Sequence, residues 1–197
     1  MLDALREPLE SGEIVISRAN AKVCFPARVQ LIAAMNPSPT GHHQGAHNRA
    51  SPQQVLRYLS RLSGPFLDRF DLSIEVPLLP PGILSKRRTE GENSAQVRTR
   101  VMQARDRQLH RAGKINALLS NQEVERDCLL QTADAEFLEN TLHTLRLSVR
   151  AWQRILKVAR TLADLAGDRD IDKRHLGEAL GYRSMDRLLL QLHRRLE

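Results

Sequence analysis

Three polar side chains, far apart along the chain, carry the chemistry this sequence has to offer. Asn36 closes the apolar run LIAAMN, and in an open α/β sheet the carboxyl ends of buried strands are where ligand-facing side chains stand. An amide both donates and accepts, so it can orient a water against a phosphate. Taken alone, an Asn followed by Pro37 is more often just the start of a turn. Arg69 lies in SGPFLDRFDL between Asp68 and Asp71, a setting in which a structural ion pair is the default. Arg150 stands near the start of a helix that begins at Ser148. Its charge there adds to the positive end of the helix dipole, a place that disfavours a structural arginine and suits one that binds an anion. Arg154 follows one turn later on the same face and can assist or support it. An amide and guanidinium groups of this kind suit a reaction carried by positioning and charge stabilisation at a phosphoryl group.

Other candidates are weaker. Arg18 and Lys22 flank the tip of EIVISRANAKVCFPA, two β-like runs joined as a hairpin. Sequence-independent contact with nucleic-acid phosphates and simple solvation of an exposed turn fit them equally well. His42, His43 and His47 share a polar loop with no Cys, Asp or Glu nearby, so surface histidines are expected and no metal site is assigned. Cys24 and Cys128 are the only cysteines, too few and too distant for a disulfide framework, and a reduced cytoplasmic compartment suits them. Cys24, next to Phe25, reads as a small buried hydrophobe. The basic run Arg98, Arg100, Arg105, Arg107, Arg111 and Lys114 reads as a solvated helix face, with a subunit contact as its rival.

The elements that must position these groups fall into two regimes across the 197 residues. Residues 1–80 alternate short helices with β-like runs, and 81–92 form a Pro- and Gly-containing connector with Lys86, Arg87 and Arg88. Residues 93–197 read as a helical bundle. In the first part a helix stops at Gly12, VQLIAAMN reads as a strand buried on both faces, Ser51 and Pro52 open a helix, and LSIEVPL reads as a further strand. In the second, Asn93 with Gln96 and Ser120 with Glu123 form capping-box patterns, and Asp172 caps a helix through Leu180. Val149, Trp152, Leu156, Ala159 and Ala163 make one apolar stripe. The formal net charge of +7 favours polyanionic partners. No apolar run approaches the roughly 18 residues that a membrane span needs.

Taken together, LDALREPLESGEIVISRANAKVCFPARVQLIAAMNPSPTG, SGPFLDRFDLSIEVP and LSVRAWQRILKVARTLADL resemble the AAA+ ATPases of the magnesium-chelatase family, in its competence and DNA-processing branch. The resemblance runs through essentially the whole chain. It implies an α/β plus all-α architecture: the C-terminal part of a P-loop core, with parallel strands and a hairpin ahead of sensor 1, then an α-helical lid. It implies that Asn36 is the sensor-1 residue, Arg69 an arginine finger acting on a neighbouring subunit, and Arg150 the sensor-2 contact to ATP, with Arg154 beside it. Arg18 and Lys22 fall where relatives carry a pore hairpin that tracks DNA. The partners it implies are DNA and copies of the chain in a hexameric ring, with ATP and Mg²⁺ as cofactors of the complete protein.

The phosphate loop G-x-x-x-x-G-K-[ST] does not occur in these 197 residues, nor does the acidic strand that holds Mg²⁺ in the family. The chain therefore reads as the later part of a longer protein, not expected to bind nucleotide tightly or hydrolyse ATP alone. Two rival readings stand beside the motor: a non-catalytic basic helical module that docks DNA or a partner subunit, and an ATPase subunit for metal insertion into porphyrin.

Overall fold

The computed structural model describes residues 2–18, 21–42, 49–79, 82–83 and 91–196. The hairpin tip at Ala19 and Asn20, His43 and His47, and most of the 81–92 connector lie outside the described residues. The chain divides into two compact units, residues 1–70 with 188–197, and residues 71–187.

In the first unit a 3₁₀ turn (Leu2–Leu5) leads into α1 (Arg6–Ser11), which ends where Gly12 takes a left-handed φ of 72° and returns its N–H to the Pro8 carbonyl. A side chain at Gly12 would be strained by that φ and would also meet the Arg28 side chain at 3.0 Å. Then β1 (Glu13–Arg18) and β2 (Ala21–Pro26) pair antiparallel, with Ile14 opposite Phe25, Ile16 opposite Val23 and Ser17 opposite Lys22. A full capping box of Ser51 and Gln54, with Pro52 in the first turn, starts α2 (Pro52–Leu59). A Ser63 cap starts the short α3 (Gly64–Leu67). Val55, Leu59 and Phe66 are buried here, and Phe70 meets Phe66 edge-on at 5.2 Å.

The expected parallel strands do not form. Among the described residues the one sheet is the two-stranded antiparallel β1–β2 ribbon. Residues 27–36, containing LIAAMN, run without regular structure, and Ile32 is 85% exposed. Of LSIEVPL only Ser73 makes a bridge, to Arg183, while Ile74 and Val76 lie exposed. A run with apolar residues on both faces becomes a strand only between hydrogen-bonding neighbours; among the described residues LIAAMN has no ladder partner, and LSIEVPL has the single bridge at Ser73. Cys24 corrects the sequence reading as well: it is exposed, because its ribbon face is uncovered.

The second unit is the helical bundle: α4 (Ser94–Ala112), α5 (Asn121–Asp127), α6 (Thr132–Leu145), α7 (Val149–Ala166) and α8 (Lys173–Gly181), followed by α9 (Ser184–Arg194), whose last turns belong to the first unit. All three predicted caps are present, the Asn93–Gln96 and Ser120–Glu123 boxes and the Asp172 side chain on the Arg174 and His175 amides. The core gathers Val124, Cys128, Leu138, Ile155, Leu156, Leu176 and Ala179 around α7. Its buried stripe is Ala151, Ile155, Ala159 and Ala163, with Leu156 beside it. Val149 is 85% exposed and Trp152 only partly buried. Leu156, Ala159 and Ala163 of the expected stripe are buried, and toward the helix start the buried line runs through Ile155 and Ala151 instead of Trp152 and Val149. Burial pushes the Cys128 thiol up to about 11.

The expected solvated face of α4 is also corrected in part. Arg111 turns inward onto the Asp164 carboxylate of α7, because a buried carboxylate needs cationic donors, while Arg107 stays exposed and donates its Nη1 to the Asp164 main-chain carbonyl. Lys114 pairs with Glu123 at 2.8 Å. That pairing, with the Ser120 amide, holds the Glu123 carboxyl down at about 2. A depressed folded-state value stabilises above the ordinary carboxylate range and stops doing so as pH falls from about 4.5 through about 2. Urea midpoints of Glu123→Gln, which keeps the cap but not the ion pair, are thus expected below wild type at pH 6 and to converge with it toward pH 2. A gap that persists at pH 2 contradicts this.

Candidate functional site

Each predicted residue owes its position to a local element. Asn36 ends the irregular 27–36 segment, exposed, just before a turn tied by the buried Ser38, whose hydroxyl donates to the His42 carbonyl at 2.6 Å. Its side chain is open to solvent, as a group that meets a ligand must be.

Arg69 is anchored at the end of α3. Its Nε donates to the Arg6 carbonyl at 3.3 Å, its Nη1 to the Pro65 carbonyl at 2.5 Å, and its Nη2 to the Glu10 carboxylate. The side chain is only 9% exposed. Three in-chain acceptors therefore tie the short α1 to α3, and Ser63 adds a bond to Asp3. An open cleft of about 490 Å³ adjoins this knot, bounded by Asp3, Glu7, Glu10, Arg6 and Arg69.

In the second unit Arg150 is the second residue of α7, exposed beyond the Ser148 cap. Arg154 is one-quarter exposed, and its Nη1 reaches Asp71 Oδ1 at 2.7 Å. Lys157 lies one further turn along, half-buried, with Nζ on the Ala117 carbonyl at 3.3 Å. Burial lowers its affinity for its proton, while Asp71 acts in the opposite sense. Reasoning from sequence missed Glu10, Asp71 and Lys157. The signal for Lys157 was its spacing of three from Arg154 on one helix face; the two carboxylates are remote from their arginines along the chain and gave none.

The ribbon register separates the two hairpin cations. Lys22 stands opposite Ser17, on the face of Val15 and Cys24, whereas Arg18 stands opposite Ala21, on the face of Ile14, Ile16, Val23 and Phe25. Both are exposed, but they straddle the tip and do not share one surface. The Cys24 thiol donates to Glu13 Oε2 at 3.2 Å, which raises its pKa. Among the described residues no three His, Cys, Asp or Glu side chains gather to hold a metal. Nor is any described helix long and apolar enough to cross a membrane.

Two family models match the chain: the magnesium chelatase subunit ChlI over residues 1–83 and the ChlI C-terminal region over residues 91–183. The chain is 67% identical over 192 residues to the competence protein ComM of Haemophilus influenzae, an alignment covering 98% of this chain and 38% of that protein. It is 61% identical over 193 residues to the uncharacterized protein YifB of Escherichia coli, again 98% and 38%. With an uncharacterized protein of Mycobacterium tuberculosis it shares 37% identity over 186 residues, 92% of this chain and 37% of the relative. The chain thus spans well under half the length of the relatives it matches.

Proposed function

The chain belongs to the magnesium chelatase family of AAA+ ATPases, and from that premise we propose that it is the sensor and lid portion of an ATP-driven ring motor that remodels DNA. The observation that carries this reading is the 67% identity to a competence protein across 98% of the chain, which takes in the strings holding Asn36, Arg69 and Arg150. In the complete protein ATP and Mg²⁺ supply the phosphoryl chemistry. The residues of this chain position and neutralise. The exposed Asn36 amide orients the attacking water, Arg150 and Arg154 meet the nucleotide phosphates from the lid helix, and Arg69 serves a neighbouring copy after giving up Glu10. DNA as the polymer worked on draws support from the net charge of +7 and from the exposed Arg18 and Lys22 at the inner ends of the two ribbon strands. A hexamer is the proposed assembly.

A second reading, a basic module that docks DNA without catalysis, is favoured by one observation: all three guanidinium nitrogens of Arg69 are satisfied within the chain. Asn36→Ala in the complete protein separates the two. For a motor, ATP still binds while turnover falls about a hundredfold or more, the scale of a lost positioning group. Unchanged turnover removes Asn36 from the reaction. Absence of any ATPase in the complete wild-type protein favours the docking module.

A further inference from the structure

On α7, Arg150, Arg154 and Lys157 recur at spacings of four and three, so they fall on one face of the helix. They span about 10 Å along its axis. The opposite side of α7 carries the buried Ala151, Ile155 and Ala159, so a packed core holds the basic face rigid. Against these three cations stands Asp71. Its carboxylate holds Arg154 at 2.7 Å and lies close enough to Lys157 to favour that side chain's charged form. Asp71 is about half exposed, so its hold on Arg154 is a weak, water-screened pair that a more highly charged anion can displace. Lys157 is a different case, since its ammonium is half-buried and donates to a neutral carbonyl at 3.3 Å. A cation in that position has surrendered part of its hydration and gains more than a surface lysine when an anion arrives.

We infer that Lys157 is a third phosphate-binding cation of the α7 face, and that Asp71 is the resident counter-ion which an oligophosphate displaces from Arg154 and Lys157. The inference deepens the sensor-2 reading of Arg150 and Arg154 and rests on it. It extends the phosphate contact from the two arginines to a third cation one turn further along the helix. Asp71 acquires a role as well. Before the oligophosphate arrives, its carboxylate keeps Arg154 from binding stray anions and makes the face selective for polyphosphates.

The test is a ³¹P NMR titration of inorganic tripolyphosphate with the 197-residue chain at low salt, which reads the phosphate directly. Lys157→Gln is expected to raise the dissociation constant at least fivefold. Asp71→Asn is expected to lower it several-fold, a gain that an unfolded variant could not produce. Arg150→Ala and Arg154→Ala report on the underlying reading. If those two weaken binding while Lys157→Gln and Asp71→Asn do not, the inference falls and the sensor-2 reading stands. If no variant changes the titration, both fall. Equal displacement of tripolyphosphate by a single-stranded oligonucleotide at matched phosphate concentration would reassign the face to nucleic acid and overturn the inference.

Discussion

Asp164→Ala is expected to destabilise the helical unit by about 3–5 kcal/mol, the cost of removing one partner from a buried ionic cluster. For a unit of this size that lowers the thermal midpoint by about 10–20 °C. The reason lies in how many donors converge on one carboxylate. Arg111 grips it with both terminal nitrogens, at 2.7 and 2.8 Å, and Asn116 Nδ2 adds a bond to Oδ2 at 2.8 Å. Arg160 Nε lies 3.3 Å from Oδ1. Asp164 and Asn116 are each 1% exposed and Arg160 is 4% exposed, so water cannot replace the lost acceptor. Asn116 Nδ2 also donates to Thr161 Oγ1, and the Asn116 main-chain N–H donates to Gln108 Oε1. The cluster therefore fastens α4 and the 3₁₀ turn at Asn116–Leu118 to α7. Asp164→Asn decides whether charge and acceptor count govern the loss. An amide keeps the volume but offers one acceptor oxygen and turns an NH₂ toward donors, so its midpoint should fall nearly as far as that of the alanine variant. Near-wild-type stability of Asp164→Asn would make the contribution one of packing alone. Circular dichroism melts of the three proteins are sufficient.

That cluster marks the boundary of what the sequence makes legible. Ser51, Asn93, Ser120 and Asp172 were readable as caps because a cap is settled within four residues of chain. The ribbon was readable for the same reason, and its observed pairing follows the two apolar runs. What failed needed partners at long range. LIAAMN and LSIEVPL have strand composition, yet a strand exists only through its neighbours, and both segments remain irregular here. Arg111 has the spacing of a solvated face, and nothing local says that Asp164, more than fifty residues on, will draw it inward. Asn36, Arg150 and Arg154 were singled out as candidates by the strings around them. The in-chain companions of the arginines, Glu10 on Arg69 and Asp71 on Arg154, come from remote sequence and are visible only in the folded chain.

Arg69→Ala in the complete protein is expected to lower ATP turnover about a thousandfold, or about 4 kcal/mol of transition-state stabilisation. The geometry of the isolated chain makes the outcome informative, because two roles for Arg69 give opposite results. As a structural residue it ties α1 to α3 through Arg6, Pro65 and Glu10; its loss then lowers the thermal midpoint, and whatever activity disappears stays lost on mixing. As a finger it acts on the nucleotide of the next copy, so the defect belongs to the neighbour's site. Mixing Arg69→Ala subunits with Asn36→Ala subunits distinguishes these. The first kind keeps its own water-orienting amide, and the second donates an intact guanidinium, so mixed rings regain turnover only if Arg69 works between copies. Glu10→Gln adds a second sign. It removes the charge that holds Arg69 in place without touching the phosphate contact, so a finger is released and turnover holds or rises, whereas a structural knot loosens and stability falls alongside that of Arg69→Ala. Arg69→Lys keeps the charge but not the planar fork and should recover little in either case. Failure of the mixed rings to recover, with both variants melting early, would assign Arg69 to the fold and leave Asn36 and the α7 face to carry the phosphate chemistry.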